Sequence, residues 1–140
     1  EAMAVPVIKA VKNHINGQPF VFLDAPPGTS CPVVTTLLGS EFCILVTEPT
    51  PFGLNDLKLA VEVVRQLHIP HGVIINQADV GDKSVEIYCQ TEQIPILMQI
   101  PTDRKIAEAY SRGQMIVDVL PEYREKFQKL LQQVASRKSQ

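Results

Sequence analysis

The stretch from residue 20 to residue 34, FVFLDAPPGTSCPVV, holds residue types that can bind an anion and a metal ion. Its apolar run, residues 20–23, predicts a strand buried in a parallel sheet, and Asp24 follows that strand directly. Open α/β sheets bind ligands at the carboxyl ends of their strands, where a carboxylate can hold Mg²⁺ through water. Gly28 has no side chain to keep an anion from its backbone N–H. The spacing fits equally well a plain strand-to-helix turn in which Asp24 caps the next element.

The composition is typical of one globular domain spanning residues 1–140, with 45% hydrophobic and 20% charged residues. The net charge of −2 argues against nucleic acid as the main partner. No apolar stretch approaches the roughly 20 residues that a transmembrane helix needs, and no signal sequence is visible at the start. We therefore expect a cytoplasmic protein without a transmembrane segment.

The cysteines are three in number and far apart, so this chain encodes neither a zinc knuckle nor a ferredoxin-type cluster. Cys43 lies in an apolar run and is expected in the core. Catalysis by Cys31 at a helix amino terminus is an alternative function, but it requires a base. The three histidines are scattered and are expected at the surface or at element ends: His14, His68 and His71.

Strand and helix patterns alternate along the chain. Further apolar runs predict strands at residues 42–47, 73–75 and 95–100. Apolar residues at helical spacing predict helices at residues 6–15, 32–38 and 51–67. Two further helices are expected to begin at Ser84 and at Thr102 and Asp103, and a final one at Pro121. Residues 115–120 are expected to form a connector. This alternation predicts an α/β fold with a mainly parallel four-stranded sheet and flanking helices.

Polar or turn-forming residues follow each predicted strand. These are Asp24, Glu48, Asn76 and, after the last strand, Pro101 with Asp103 close behind. Because the carboxyl ends of parallel strands meet at one edge of a sheet, we expect all four to share one rim. That convergence favours a binding site over a structural accident.

Four motifs, in the same order along the chain as in that family, resemble the MinD/ParA-type P-loop ATPases: DAPPGTSCPV, LVTEPTPFGLNDLKLAVEVVRQL, GVIINQAD and IPTDRKIAEAYSRGQ. The chain is similar, more narrowly, to the MinD-superfamily ATPases that carry an inserted ferredoxin domain. The resemblance covers residues 5–120 and implies a P-loop NTPase-like, three-layer sandwich that is incomplete here.

The resemblance also implies roles for individual residues. Asp24 matches the Walker B aspartate that positions magnesium through water, and Gly28 would face the terminal phosphate. Asn76 corresponds to the asparagine that hydrogen-bonds adenine. Residues 25–30, with Pro26, Pro27, Thr29 and Ser30, match the switch segment. Glu48-Pro49-Thr50 matches the strand-end motif at the nucleotide rim. The loop of Pro101, Thr102 and Asp103 matches the loop that lies against the base.

One family feature is missing. No Gly-rich loop ending in Gly-Lys-Thr or Gly-Lys-Ser occurs in the chain, and no lysine lies near Gly28. The lysine that holds the β- and γ-phosphates is therefore absent. We expect the carboxyl-terminal part of a longer ATPase, from the Walker B aspartate onward, which alone binds ATP weakly or not at all. The iron–sulfur clusters of a ferredoxin insertion would also lie outside this chain.

The resemblance implies ATP and Mg²⁺ as ligands of the intact protein, a homodimer, and electron-transfer or iron–sulfur chemistry with a redox partner. The alternative is an interaction module that docks on the missing Walker A half or on a redox partner and does no chemistry. A response-regulator role for Asp24 lacks the acidic residues and the lysine that it needs. In the family, the strand before the Gly-rich loop lies between the strands at residues 20–23 and 42–47. We therefore expect the isolated chain to pair these two strands directly or to fill the gap from another molecule.

Overall fold

The computed structural model describes residues 4–137. Within that range the elements are, in chain order, helices and strands α1 (Ala4–Lys12), α2 (Cys31–Leu37), β1 (Cys43–Thr47), α3 (Pro51–Gln66), β2 (His71–Asn76), α4 (Ser84–Thr91), β3 (Ile96–Ile100), α5 (Arg104–Ser111), α6 (Ile116–Val119) and α7 (Glu122–Arg137). None of these helices has the length and apolar character that a membrane span requires.

The sheet is parallel, and its strands lie in sequence order, β1-β2-β3. Cys43 lies opposite His71 in the first ladder, and Asn76 lies opposite Ile100 in the second. Because β2 has a neighbour on each side, it forms the centre, and its four residues from Gly72 to Ile75 are all buried. The expected α/β fold with a parallel sheet is confirmed.

The main core lies on the face of the sheet covered by α3 and α4. Alternate side chains of a strand point to opposite faces, so Val73 and Ile75 of β2 share this side. They pack against Leu57 and Val61 of α3 and against Val85 and Cys89 of α4, pairs that are each at helical spacing. Ile94, which follows α4, completes this cluster. Cys43 is also buried, in a second cluster with Val64 and Ile69.

The opposite face is covered by the carboxyl-terminal helices. Ile74, which alternates with Val73 and Ile75, is buried on this side. Helix α7 packs against β3 and buries Tyr123 and Leu130. Helices on both faces of the sheet give three layers.

Several helix ends have the residues that the sequence predicts. The Thr50 side chain accepts a hydrogen bond from the Gly53 N–H at the start of α3, with Pro51 as the first helical residue. The Asp103 carboxylate likewise accepts from the Lys105 N–H at the start of α5. Ser84 was expected to cap α4, but it is the first residue of the helix, and the Asp82 carboxylate accepts its N–H at 2.9 Å.

The prediction of a strand at residues 20–23 was wrong. This segment has no regular secondary structure and is not part of the sheet, which has three strands rather than four among residues 4–137. An apolar sequence becomes a strand only where a neighbouring strand bonds its backbone. The connector predicted at residues 115–120 also contains a one-turn helix, α6.

Helices α1 and α2 pack against each other beside β1. Lys12, at the end of α1, donates from Nζ to the carbonyl oxygens of Thr35 at 3.1 Å and Thr36 at 3.0 Å, and also to that of Leu38. These carbonyls lie at the carboxyl end of α2, where a cation is stabilised by the helix dipole. Lys12 therefore fastens α1 to the segment that precedes β1.

Candidate functional site

Glu48 and Asn76 meet at the carboxyl ends of β1 and β2. The Asn76 amide donates from Nδ2 to Oε1 of Glu48 at 3.3 Å, across 28 residues of sequence. Both residues are half-buried. Two of the residues predicted at the strand ends are therefore in contact.

Gln77, which the sequence analysis did not single out, joins the same group. Its Nε2 donates to the same Oε1 of Glu48 at 3.2 Å. Its backbone has a φ of +51°, in the left-handed region that non-glycine residues rarely adopt. A glutamine directly after a strand-end asparagine was the available signal, but its backbone conformation could not be inferred from the sequence.

The loop that carries Glu48 is held from two sides by glycines. A Cβ on Gly53 would lie 2.3 Å from the Glu48 carbonyl oxygen, so only glycine lets the first turn of α3 approach this closely. A Cβ on Gly81 would lie 2.0 Å from the Pro49 carbonyl oxygen, and Gly81 has a φ of +105°. The loop after β2 therefore packs directly on the loop after β1.

The loop after β3 is fastened to the loop after β2. The Thr102 N–H donates to the Asp79 carboxylate. This hydrogen bond, above all, holds the pKa of Asp79 below its ordinary value. Pro101 is exposed, and the Asp103 carboxylate caps α5 by accepting from the Lys105 N–H. Asp79 could not be singled out from the sequence, because its hydrogen-bond partner lies 23 residues away.

Asp24 and Gly28 lie on the irregular segment before α2. Within residues 4–137 the exposed Asp24 carboxylate has no hydrogen-bond or ion-pair partner. Gly28 has a φ of +95°, and a Cβ there would meet open space. The other residues of this segment singled out from the sequence are also exposed: Pro26, Pro27, Thr29 and Ser30. No hydrogen bond or ion pair in the described part of the chain links Asp24 or Gly28 to the Glu48 group.

A cleft of about 690 Å³ separates this segment from the sheet. One wall is formed by residues 18–28, and the other by Cys43, Ile44, Leu45 and Val46 of β1. An apolar cavity of about 340 Å³ adjoins it between Ile44, Phe22 and α7. The expectation that the two segments pair directly is therefore wrong, because an open cleft lies between them.

The edge of β1 that faces this cleft has no strand partner among residues 4–137. Alternate residues of a parallel strand bond to the same neighbour, and the Cys43 N–H donates to the Pro70 carbonyl on the β2 side. The backbone groups of Ile44 and Val46 consequently face the cleft. Val46 is 66% exposed and Phe22 77% exposed, which is unusual for large apolar residues beside a sheet.

The cysteines give little support to thiol chemistry. Burial raises the pKa of Cys43 and of Cys89 to about 11, so both are protonated thiols at neutral pH. Cys31 is exposed, and among the described residues no hydrogen bond joins its thiol to a histidine; His14 and His71 each bond a backbone carbonyl through Nδ1.

The described residues contain no cluster of three or more histidine, cysteine, aspartate or glutamate side chains that could hold a metal ion. Magnesium keeps several of its waters and needs only one or two carboxylates from the protein. The unpartnered carboxylate of Asp24 fits that requirement, whereas the Glu48 carboxylate is already engaged by two amides.

The known proteins that are similar in sequence include an uncharacterised protein and an iron-sulfur cluster carrier protein. The chain is 35% identical over 92 residues to an uncharacterised protein of Methanocaldococcus jannaschii, covering 66% of this chain and 31% of that protein. It is 32% identical over 113 residues to an iron-sulfur cluster carrier protein of Aquifex aeolicus, covering 70% and 31%. The chain thus spans about a third of the length of these relatives. No protein-family model matches it.

Solved structures show the same fold. The cell division ATPase MinD of Pyrococcus furiosus superposes with a TM-score of 0.77 at 24% identity, over 96% of this chain and 59% of MinD. The septum site-determining protein MinD of Pyrococcus horikoshii, solved as a complex with Mg-ADP, gives a TM-score of 0.71 at 27% identity, over 94% and 55%. Each match leaves a large part of the MinD chain uncovered.

Proposed function

We propose that the chain is the carboxyl-terminal part of a MinD-like P-loop ATPase that binds and hydrolyses ATP, because its fold is that of solved MinD structures. The observation that carries the proposal is the rim of Glu48, Asn76 and Gln77 at the strand ends of a fold shared with a Mg-ADP-bound MinD. Residues 1–140 would form the ATPase domain from the Walker B aspartate onward. The partial coverage of the M. jannaschii relative and of the P. furiosus MinD structure supports this extent.

In the intact protein, water attacks the γ-phosphate of ATP, and hydrogen bonds stabilise the charge of the transition state. Asp24 would hold Mg²⁺ through water, and the metal would neutralise phosphate charge. Pro26 and Pro27 have no N–H, so Gly28 supplies the first backbone donor after Ala25. Its open surroundings and positive φ leave that backbone accessible to a phosphate.

The residues at the ends of the three strands would bind the base. Asn76 would read adenine, and Glu48 and Pro49 would form the adjoining strand-end motif. Pro101, Thr102 and Asp103 would lie against the base, and the bond from Thr102 to Asp79 supports this by joining their loop to the one after β2. Pro26, Pro27, Thr29 and Ser30 would form the switch.

The wider role is also a proposal. The relatives named iron-sulfur cluster carrier proteins support a link to iron–sulfur or redox chemistry. Such chemistry would use clusters in a ferredoxin insertion outside this chain and a redox partner. We propose a homodimer for the intact protein and a cytoplasmic location.

Reconstitution tests the proposal. The chain is mixed with a polypeptide that carries the Gly-Lys-Thr loop and its strand, and phosphate release from MgATP is measured. We expect hydrolysis from the mixture, none from either part alone, and loss of activity with Asp24→Ala. A mixture that forms a complex yet does not hydrolyse ATP would overturn the proposal. Titration calorimetry of the chain alone should show no saturable MgATP heat up to millimolar concentration.

A second candidate is an interaction module without chemistry, and the open edge of β1 favours it. The backbone groups of Ile44 and Val46 and the apolar walls of the cleft suit an extended peptide added as a parallel strand. The test uses a soluble peptide with a short β-branched apolar core. Binding should slow hydrogen exchange at Ile44 and Val46, and N-methylation of the peptide at residues facing β1 should abolish it. Binding with no hydrolysis in the reconstituted mixture would favour this candidate.

A further inference from the structure

Glu48 fixes the orientation of the Asn76 amide. Asn76 Nδ2 and Gln77 Nε2 both donate to Glu48 Oε1, at 3.3 and 3.2 Å. An ionised carboxylate only accepts hydrogen bonds, so the NH₂ group of each amide must face it. The Asn76 amide is therefore held with Nδ2 toward Glu48 and with Oδ1 turned away.

The other end of the Asn76 amide is left available. Among the described residues no donor bonds Asn76 Oδ1, and the residue is only half-buried. An unrestrained asparagine can rotate its amide and present either a donor or an acceptor to a ligand. The bond to Glu48 removes that choice and leaves an acceptor.

The Glu48 backbone is itself held in place. Gly53 packs against its carbonyl oxygen, and Gly81 packs against the carbonyl of Pro49. A carboxylate on a fixed backbone keeps its position better than one on a free loop. Gln77 occupies a second position on the same oxygen and is not required for the Asn76 orientation.

We propose that Glu48 is a positioning residue that makes this rim select purines with an amino group at C6. This inference rests on the proposed nucleotide-binding function and deepens it. Adenine carries an amino donor at C6, which Asn76 Oδ1 accepts. Hypoxanthine and guanine carry a carbonyl oxygen there, which would face Oδ1 with no hydrogen between the two acceptors.

The test compares adenosine with inosine, which differ in that one group and carry no phosphate. Because the chain alone is expected to bind nucleotide weakly or not at all, the reconstituted complex with the Gly-Lys-Thr polypeptide is used, and binding is followed by NMR chemical-shift titration at millimolar nucleoside. One correctly made hydrogen bond corresponds to a preference for adenosine of about tenfold. In Glu48→Gln the new side-chain amide can donate as well as accept, so the Asn76 amide can rotate by about 180° and present either its oxygen or its NH₂ group to the base. We expect the preference to fall to about twofold, with inosine binding no weaker than before.

Two matched variants separate orientation from general damage. Gln77→Ala removes the second donor and should keep the preference, and Glu125→Gln makes the same chemical change at an exposed site on α7. A merely structural role for Glu48 would weaken both nucleosides equally and leave their ratio unchanged. That result would overturn the inference.

A second readout does not depend on ligand binding. The side-chain NH₂ signals of Asn76 and Gln77, identified by their loss in Asn76→Ala and Gln77→Ala, should both move in Glu48→Gln and stay in Glu125→Gln. Unmoved signals would show that Glu48 does not hold the amides. If the signals move but neither nucleoside binds to the reconstituted complex, the orientation stands, whereas the selectivity and the nucleotide function fail.

Discussion

At positions 53 and 81 the rim depends on the absence of a side chain. The Cβ of any other residue would collide with a backbone carbonyl, which cannot turn aside as a flexible side chain can. Gly81 also has a φ of +105°, where other residues are strained. These two glycines bring the first turn of α3 and the loop after β2 against the loop after β1, and so fix the backbone of Glu48.

Gly81→Ala should therefore destabilise the protein by about 3 kcal/mol or more, since backbone strain and a collision add. Gly113→Ala is the matched control, because Gly113 has a φ of +67° with open space around it and should cost only about 1 kcal/mol. Urea unfolding measures both. Equal losses would contradict the collision argument.

The buried thiols predict how stability depends on alkaline pH. Burial raises the pKa of Cys43 and Cys89 from 9.0 to about 11. In the unfolded chain these thiols lose their protons first, so their contribution is complete below pH 9 and is lost as pH rises toward 11. The free energy of unfolding should fall across that window.

Unfolding of wild type and of Cys43→Ala/Cys89→Ala at pH 8, 9 and 10 tests this prediction. The double variant should show a shallower decline, although it starts from a lower stability because of its cavities. If the free energy of unfolding fell equally steeply with pH in wild type and in the double variant, the thiols would not be the cause of the decline.

At the scale of elements, the sequence predicts β1, β2 and β3 well because each is an apolar run between turn-forming residues. Residues 20–23 have the same pattern, yet they form no strand, because a strand needs a bonded neighbour as well as apolar side chains. The rim pair Glu48 and Asn76 follows from the strand ends. Gln77 and Asp79 do not, since their roles depend on loop conformation and on distant partners.

The attachment of α1 through Lys12 is a prediction at this scale. Lys12→Met removes three hydrogen bonds to α2 carbonyls while keeping the aliphatic stem. We expect about 1 kcal/mol less protection of α1 amides against hydrogen exchange. Lys9→Met, at an exposed position on the same helix, should leave exchange unchanged. If Lys12→Met, like Lys9→Met, left the exchange of α1 amides unchanged, the aliphatic stem of Lys12 and not its charge would attach α1.

For the whole molecule, the incomplete sheet predicts self-association. An exposed strand edge with apolar side chains tends to pair with another chain. Sedimentation velocity should show association that increases with protein concentration. Val46→Lys should suppress it, whereas Ile87→Lys, at a similarly exposed site on α4, should not. A wild-type monomer at all concentrations would contradict this prediction.

The sequence order of the strands has a consequence for folding kinetics. Each strand of β1-β2-β3 pairs with the next one along the chain, so every ladder closes over a single helix. Low contact order favours rapid folding. In a longer protein we expect this unit to form its core first, and a strand from elsewhere to enter the cleft in a later, slower step. Two well-separated refolding phases, the second absent from this chain alone, would be the kinetic signature of that order.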